Sequence, residues 1–273
     1  MSSGPHGDPI TSPQNPRIKQ ALALRERRER ERTRLMLVEG YEEISLALES
    51  GGTPERLFHC PELARRSDEG LLLGLATQGC EILPVGERAF GRLAYREHPD
   101  GWLAVFQAPN TELGRLTAGP NPLVLVAESV EKPGNLGAML RTADAAGVDA
   151  LIAANPRTDW ANPNIIRASK GAVFSVPVAQ ASSEDTVKWL RPRGIALLAA
   201  VPDAGLSYTQ ADLSGAIAVI VGTEKEGLSS ALLAAADHRV RIPMSGRVNS
   251  LNVSTAAALL IYEALRQRTE AGR

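Results

Sequence analysis

The feature that most constrains this chain is the uninterrupted apolar run Leu123-Val124-Leu125-Val126-Ala127. It is followed by the turn Glu131-Lys132-Pro133-Gly134-Asn135 and an Ala-rich segment from Ala138 to Gly147. Five apolar residues without polar alternation read as a parallel strand buried on both faces. The Ala-rich segment reads as a helix closed by Gly147, since glycine readily takes the left-handed conformation past a helix end. A strand, a glycine-bearing turn and a helix N-terminus make a ready site for an anion or a polar ligand. The spacing is wrong for the familiar nucleotide signatures, with no Gly-x-Gly-x-x-Gly after the strand and no Gly-Lys-Ser/Thr of a P-loop. The turn offers instead the amide of Asn135 and, six residues on, the guanidinium of Arg141. Arg141 stands among Met139, Leu140, Ala143 and Ala145, so its charge needs a partner or a path to water. Pairing with Asp144 or Asp149 satisfies that need, and so does a ligand.

Two later stretches bear on this choice. Val219-Ile220-Val221-Gly222-Thr223-Glu224-Lys225-Glu226-Gly227-Leu228 is a buried strand entering a loop with two glycines and acids between them. Glycines there permit close approach of a ligand, while the glutamates would repel a polyphosphate. A helix start rich in acids accounts for the same residues. Val240-Arg241-Ile242-Pro243-Met244-Ser245-Gly246-Arg247-Val248-Asn249-Ser250-Leu251-Asn252-Val253-Ser254 ends a strand in a loop. It then crowds Asn249, Ser250, Asn252 and Ser254 at a helix start. One cap residue is expected there, and four uncharged hydrogen-bonding side chains suggest a polar ligand held without net charge.

The remaining strands and helices set the architecture. Residues 35–38, 56–59, 81–85 and 102–106 read as strands, with helices at 41–48, 61–76 (in two pieces) and 87–93. Together they make a small α/β domain at 11–107. Residues 1–10 are Gly-, Pro- and Ser-rich and read as a disordered start, and 108–121 read as a linker. From 122 to 273, strands at 123–127, 150–154, 195–200, 216–221 and 240–242 alternate with helices, which implies a mostly parallel sheet covered on both faces. The last helix, 251–268, carries Leu259, Leu260, Ile261 and Leu265 as an apolar stripe and Arg266 and Arg268 at its cationic end. Its Ala256-Ala257-Ala258 would admit a second helix, either in the core or at a homodimer seam.

The net charge of −1 conceals a local bias. A helix over 17–33, begun by Ser12 or Asn15 and Pro16, carries Arg25, Arg27, Arg28, Arg30, Arg32 and, just past it, Arg34, interleaved with Glu26, Glu29 and Glu31. Such a helix is either a solvated face laced with ion pairs or a surface that tracks a phosphate backbone. Cys60 and Cys80 form no metal or redox spacing, and two cysteines in 273 residues fit a reducing, cytoplasmic setting. No apolar run reaches the roughly 18–20 residues of a membrane span, and the N-terminus lacks a signal-peptide core.

Asn135-Leu136-Gly137 with Arg141, then Gly222-Thr223-Glu224 with Gly227-Leu228, then Ile242-Pro243-Met244 with Ser250-Leu251-Asn252-Val253-Ser254, closely resemble in order and spacing the three motifs of the SpoU/TrmH RNA ribose 2′-O-methyltransferases of the SPOUT superfamily. The resemblance extends through Ile166-Arg167-Ala168-Ser169-Lys170-Gly171-Ala172 and the final Tyr262-Glu263-Ala264-Leu265-Arg266-Gln267-Arg268. It also takes in Ile10-Thr11-Ser12, Asn15-Pro16, Ile18-Lys19 and Glu39-Gly40, which look like that family's substrate-binding domain. It implies a C-terminal trefoil-knotted, mostly parallel SPOUT domain that holds S-adenosylmethionine and pairs as a homodimer, preceded by a small RNA-binding domain. Ordinary topology rules would not foresee a knot. Carried over by position, Gly222, Ile242 and Leu251 would line the cofactor pocket, with Met244 added by its place in the loop. Asn135, Arg141, Glu224, Ser250 and Asn252 match catalytic and site-building positions. The implied reaction is methylation of an RNA ribose, rRNA preferred over tRNA, without a metal. A catalytically silent RNA-binding protein is the reading from another class, and the intact motif positions argue against it. A generic nucleotide-binding α/β protein lacks the glycine signatures it would need.

Overall fold

The apolar runs of the first hundred residues become one sheet and those after residue 122 another. The structure, a computed structural model, describes residues 8–64, 68–223, 226–248 and 250–272. The chain divides into two compact units, 1–109 with 160–175, and 110–159 with 176–273. In chain order the elements up to residue 109 are α1 (Pro16–Ala23), α2 (Arg27–Thr33), β1 (Leu35–Glu39), α3 (Tyr41–Glu49), β2 (Pro54–His59), α4 (Glu69–Thr77), β3 (Glu81–Pro84), α5 (Glu87–Leu93) and β4 (Trp102–Gln107). Then come β5 (Leu123–Glu128), α6 (Pro133–Ala146), β6 (Ala150–Ala154), α7 (Pro163–Ser169), β7 (Val178–Ala181) and α8 (Ser183–Leu190). The last are β8 (Ala196–Ala200), β9 (Leu206–Ser207), β10 (Ile217–Val221), α9 (Ser230–Ala235), β11 (His238–Arg241) and α10 (Val253–Glu270).

In the first unit the sheet order is β1-β4-β2-β3, with β4 antiparallel to both neighbours and β2 parallel to β3. Ile18, Leu37, Phe58, Phe90 and Leu103 meet in its core. Asn15 caps α1 by accepting from the Arg17 N–H at 2.8 Å, with Pro16 in the first turn. The helix expected over 17–33 breaks at 24–26 into α1 and α2. Leu24 turns inward there, and the buried Arg30 guanidinium donates to the freed carbonyls of Leu24 (3.0 Å) and Arg25 (2.6 Å). Carbonyls released by a helix end need such donors. Residues 1–7 of the expected disordered start lie outside the described residues. Ile10 donates its N–H to Pro84 O at 2.8 Å.

The segment 160–175 belongs with this first unit. Ile165 and Ile166 of α7 are buried, α7 contacts β1, and the rings of Phe174 and Phe106 lie 5.5 Å apart. Glu43, almost wholly buried, accepts from Arg96 at 2.6 Å and pairs with Lys170 at 4.0 Å. Lys170 and Gly171 take left-handed φ of +57° and +84° to end α7 against α3.

The second unit is a seven-stranded sheet in the order β7-β6-β5-β10-β8-β11-β9, parallel at every pairing. β5, β6 and β10 are buried at every position, as unalternated apolar runs require. Gly147 closes α6 at φ +64°. β7 and β9 extend the sheet at its edges beyond the five strands legible in the sequence. Residues 110–122 run along this unit: Gln180 N–H bonds to Thr111 O, and Leu116 enters the core. Arg268 does more than meet a helix dipole. It donates to the carbonyls of Asn121 (2.9 Å), Pro122 (3.1 Å) and Gly215 (2.6 Å), fixing the end of α10, and burial pulls its guanidinium below the ordinary value.

The seat of α7 gives a direct test. A Cβ on Gly171 would lie 3.4 Å from Glu43 Cα and O and Leu46 Cδ2, on a backbone that side chains rarely adopt. Gly171→Val is expected to cost about 1–2 kcal/mol of stability, read as a lowered midpoint in thermal or urea unfolding. An unchanged midpoint would refute this account of the turn.

Candidate functional site

All three motifs meet at the carboxyl edge of the parallel sheet, where open α/β sheets hold their ligands. β10 lies between β5 and β8, so the loop after β10 rises beside the start of α6 on one side and the end of β8 on the other. That loop is folded on itself. Gly227 donates its N–H to Thr223 O at 3.0 Å, Glu226 donates its N–H to Thr223 Oγ1 at 3.0 Å, and Gly227 takes φ +67°. Gly222 is required by the close approach, because a Cβ there would overlap the Gly227 carbonyl, 2.6 Å from its carbon, and stand 2.9 Å from Leu228 Cδ2.

The first cleft encloses about 780 Å³, part of it open solvent. Its walls come from Val201 and Pro202 after β8, Gly222, Thr223 and Gly227 after β10, Ile242, Met244, Ser250 and Leu251 of the last loop, and Val253 and Ala256 of α10. All four residues expected to line a cofactor pocket, Gly222, Ile242, Met244 and Leu251, are therefore in one cleft, with Ser250 beside them. The lining is mostly apolar with a few hydroxyls and backbone groups, the usual make-up of a small-molecule site. A second cleft of about 580 Å³ adjoins it and shares Thr223 and Val253. Val130, Glu131, Lys132, Asn135 and Glu226 complete its lining, so it is the more polar and charged of the two.

One hydrogen bond joins the first motif to the third. Asn252 Nδ2 donates to Asn135 Oδ1 at 3.1 Å. The other end of the Asn252 amide caps α10, accepting from Ser254 N (2.9 Å) and Ser254 Oγ (2.6 Å). Ser254, counted in the sequence as a surplus polar group, is thus spent within the cap. Asn249 and Glu224 lie outside the described residues. Arg141 is exposed, lines neither cleft, and has no hydrogen-bond or ion-pair partner among the described residues. Its six-residue offset from Asn135 puts it about 9 Å along the helix and roughly 120° around it, so the two face different ways. Leu136, Met139, Leu140 and Ala143 form the buried stripe of α6, which leaves Arg141 its solvent side. Asp149 accepts from Leu123 N–H at 2.7 Å instead of pairing with Arg141.

The arginines of α1 and α2, all in the first unit, divide by environment. Arg25 donates to Leu93 O (2.8 Å) and Ala94 O (3.0 Å) and lies 4.4 Å over the Tyr95 ring, and Arg30 is buried as described. Arg27 pairs with Glu31 at 2.7 Å and Arg32 with Glu29 at 2.6 Å, both on the surface. The Arg32 side chain draws the Glu29 carboxyl below the usual range. Arg28 and Arg34 are exposed and outside any hydrogen-bonded ion pair among the described residues.

Sequence reasoning passed over Val201, Pro202, Thr223 and Val253 as lining residues. A proline two residues past the end of an apolar strand, Ala200-Val201-Pro202, was the available sign of a strand end opening onto the carboxyl edge.

The SpoU rRNA Methylase family model matches residues 122–262, and the MRM3-like substrate binding domain model matches residues 15–104. The 23S rRNA (guanosine(2553)-2′-O)-methyltransferase RlmP of Bacillus subtilis is 32% identical over 93% of this chain and 97% of its own. The 23S rRNA (uridine(2479)-2′-O)-methyltransferase of Streptomyces viridochromogenes is 32% identical, over 95% and 92% of the two chains. Among solved structures, the AdoMet-bound rRNA methyltransferase from Sinorhizobium meliloti superposes with a TM-score of 0.87 at 30% identity, covering 95% of this chain and 97% of that one.

Proposed function

The chain belongs to the SpoU rRNA methylase family, and on that premise we propose that it methylates a ribose 2′-hydroxyl of ribosomal RNA with S-adenosylmethionine as donor. The observation that carries this reading is the first cleft, which gathers Gly222, Ile242, Met244, Ser250 and Leu251 from two distant motifs into one mostly apolar pocket. Its lining fits the cofactor, with aliphatic walls for a purine and the methylene groups beside the sulfonium and a few hydroxyl and backbone groups for polar ends. The chain returns from β11 to pack α10 against α6, β10 and β5 near the middle of the sheet, the path that a C-terminal trefoil knot would need. Full-length relatives named for 23S rRNA favour rRNA over tRNA. Since one is named for guanosine and the other for uridine, the family does not fix the base.

When bound, S-adenosylmethionine supplies a methyl group on a positively charged sulfur. The protein has to hold the ribose hydroxyl in line with that methyl, and alignment of this kind is worth several orders of magnitude in rate. The second cleft, which shares two walls with the first, is the place for the acceptor nucleotide. Asn135 lines it and is held by its bond from Asn252, Thr223 and Val253 stand where it meets the first cleft, and Ser250 lines the cofactor side. We assign Arg141 to the RNA phosphate, a task its planar fork of donors suits. A guanidinium is a poor proton acceptor, so we give Arg141 positioning and not proton removal. Glu224 keeps its assignment as a site-building residue on the loop it shares with Gly222. The first unit presents the RNA, as its match to a substrate-binding domain supports. Arg27, Arg28, Arg32 and Arg34 are its exposed phosphate contacts, while Arg25 and Arg30 act through the fold. No helix among the described residues is long and apolar enough to cross a membrane; rRNA as substrate supports a cytoplasmic setting.

We infer self-association through α10. Thr255, Ala258, Leu259 and Tyr262 recur at helical spacing on its outer face, with Leu259 38% and Tyr262 49% exposed. We assign this stripe to a homodimer. Leu259→Glu is expected to shift the protein to monomer in sedimentation, and an unaltered mass would remove the stripe from the interface.

Methyl transfer from labelled S-adenosylmethionine to unmodified rRNA and tRNA, with the product mapped by mass spectrometry, tests the activity. A single 2′-O-methyl nucleotide in rRNA is the expected product. Arg141→Ala should keep cofactor affinity and lower turnover roughly 100-fold; wild-type turnover would refute its role. RNA affinity measured across a salt series should weaken, with a shallower slope, when Arg27, Arg28, Arg32 and Arg34 are neutralised. An unchanged slope would return α2 to a solvated face.

A further inference from the structure

The buried carboxylate of Glu128 has no part in the transfer as described, yet it sits where both clefts are built. Glu128 ends β5 with 2% exposure. It accepts the Ser229 N–H at 2.7 Å and the Ser183 hydroxyl through a short hydrogen bond. Ser183 is held in turn by Asn155, whose Nδ2 donates to Ser183 Oγ at 2.8 Å and whose Oδ1 accepts the Ser183 N–H at 3.3 Å. A buried carboxylate is costly unless charge-compensated and hydrogen-bonded. Here the compensation comes from the starts of α8 and α9, whose caps are Ser182 and Ser229. The backbone turns sharply to make the contact, with Ser129 at φ +52° and Asn155 at φ +47°, a conformation uncommon outside glycine.

The two ends of this link matter for function. Two residues after Glu128 the chain reaches Val130, Glu131 and Lys132, which line the second cleft. Two residues before Ser229 it leaves Gly227, which lines the first, and Glu226, which lines the second. One carboxylate therefore ties the loop of the first motif to the loop of the second, beneath both clefts. We propose that Glu128 is a positioning residue that holds the 222–228 loop in register with the 129–135 loop, and thereby sets cofactor affinity without taking part in methyl transfer. This rests on the reading that the first cleft takes S-adenosylmethionine.

Ser229 offers a clean way to break the link. Its φ of −63° suits a proline ring, so Ser229→Pro removes the N–H that Glu128 accepts and sets the ring's Cδ against that carboxylate, forcing the two apart. Ser229→Ala removes only the hydroxyl that caps Leu232 N–H at 3.4 Å, and serves as the reference. The readouts are S-adenosylmethionine affinity by calorimetry and steady-state KM and kcat on unmodified rRNA. Relative to Ser229→Ala, Ser229→Pro should raise Kd and KM for S-adenosylmethionine about tenfold, with kcat at saturating cofactor within about twofold. Glu128→Gln keeps the side chain's shape and an acceptor for Ser229, but sets an amide donor against Ser183. It should raise KM about threefold with the same unchanged kcat, and it keeps the proposal testable should the proline variant fail to fold. Equal cofactor affinity across these variants, or a lowered melting temperature alone, would overturn the proposal. Gly222→Val in parallel separates the two readings. Lost binding there with unaltered Glu128 and Ser229 variants sinks this inference only. Wild-type binding by Gly222→Val would sink the cleft assignment and this inference with it.

Discussion

Parallel pairing of β10 with β5 on one side and β8 on the other is the constraint on which the site depends. Val219 is in register with Leu125 and Leu198, so three strand ends finish at one level and their loops rise side by side. A slip in that register would separate Thr223 from Asn135 and Pro202 and leave no common wall. The register is guarded by burial: these strands present aliphatic side chains on both faces, and the core offers no place for their polar ends. α10 then closes the arrangement from beneath, and its cap residue Asn252 bonds to Asn135 across 117 residues of sequence. The last structural element of the chain thus completes a site begun near its middle.

Both the apolar runs and the spacing of motif residues were legible without coordinates, because each is a local pattern. The unbroken runs at 123–127, 150–154 and 216–221 became the buried strands of the sheet, and Gly147 ended its helix as glycine chemistry requires. β7 escaped notice because Val178-Ala179-Gln180-Ala181 is short and weakly apolar, and β9 because two residues have no period at all. Neither is specified by its own composition; each is a strand because a neighbour offers it hydrogen bonds. The break between α1 and α2 was hidden for a related reason. Arg30 looked like one more surface cation, and only the fold shows that its guanidinium answers two carbonyls.

Within the site, residue identity was more legible than residue role. The four residues expected around the cofactor do line one cleft, since a strand-end glycine and loop aliphatics have few other uses. Ser254 and Asn252 illustrate the limit. Their polar atoms looked like surplus ligand groups, whereas the cap absorbs Ser254 entirely and half of the Asn252 amide. A count of hydrogen-bonding side chains in sequence says how many groups are present, not how many remain after the backbone has taken its share.

The membership of 160–175 in the first unit carries a consequence for synthesis. When translation passes residue 109, all four strands of the first sheet and the Glu43–Arg96 pair exist, but the segment that covers β1 and adds Lys170 to that pair does not. It arrives only after β5, α6 and β6 have been made, and those three cannot close their own sheet until β10 and β8 follow. The nascent chain therefore carries two unfinished cores at once, each awaiting residues that lie beyond the start of the other. Long-range closures of this kind slow folding and prolong the exposure of apolar surface. A vectorial, one-domain-then-the-next assembly line is closed to this topology, and cutting the gene at the apparent boundary would yield two incomplete products.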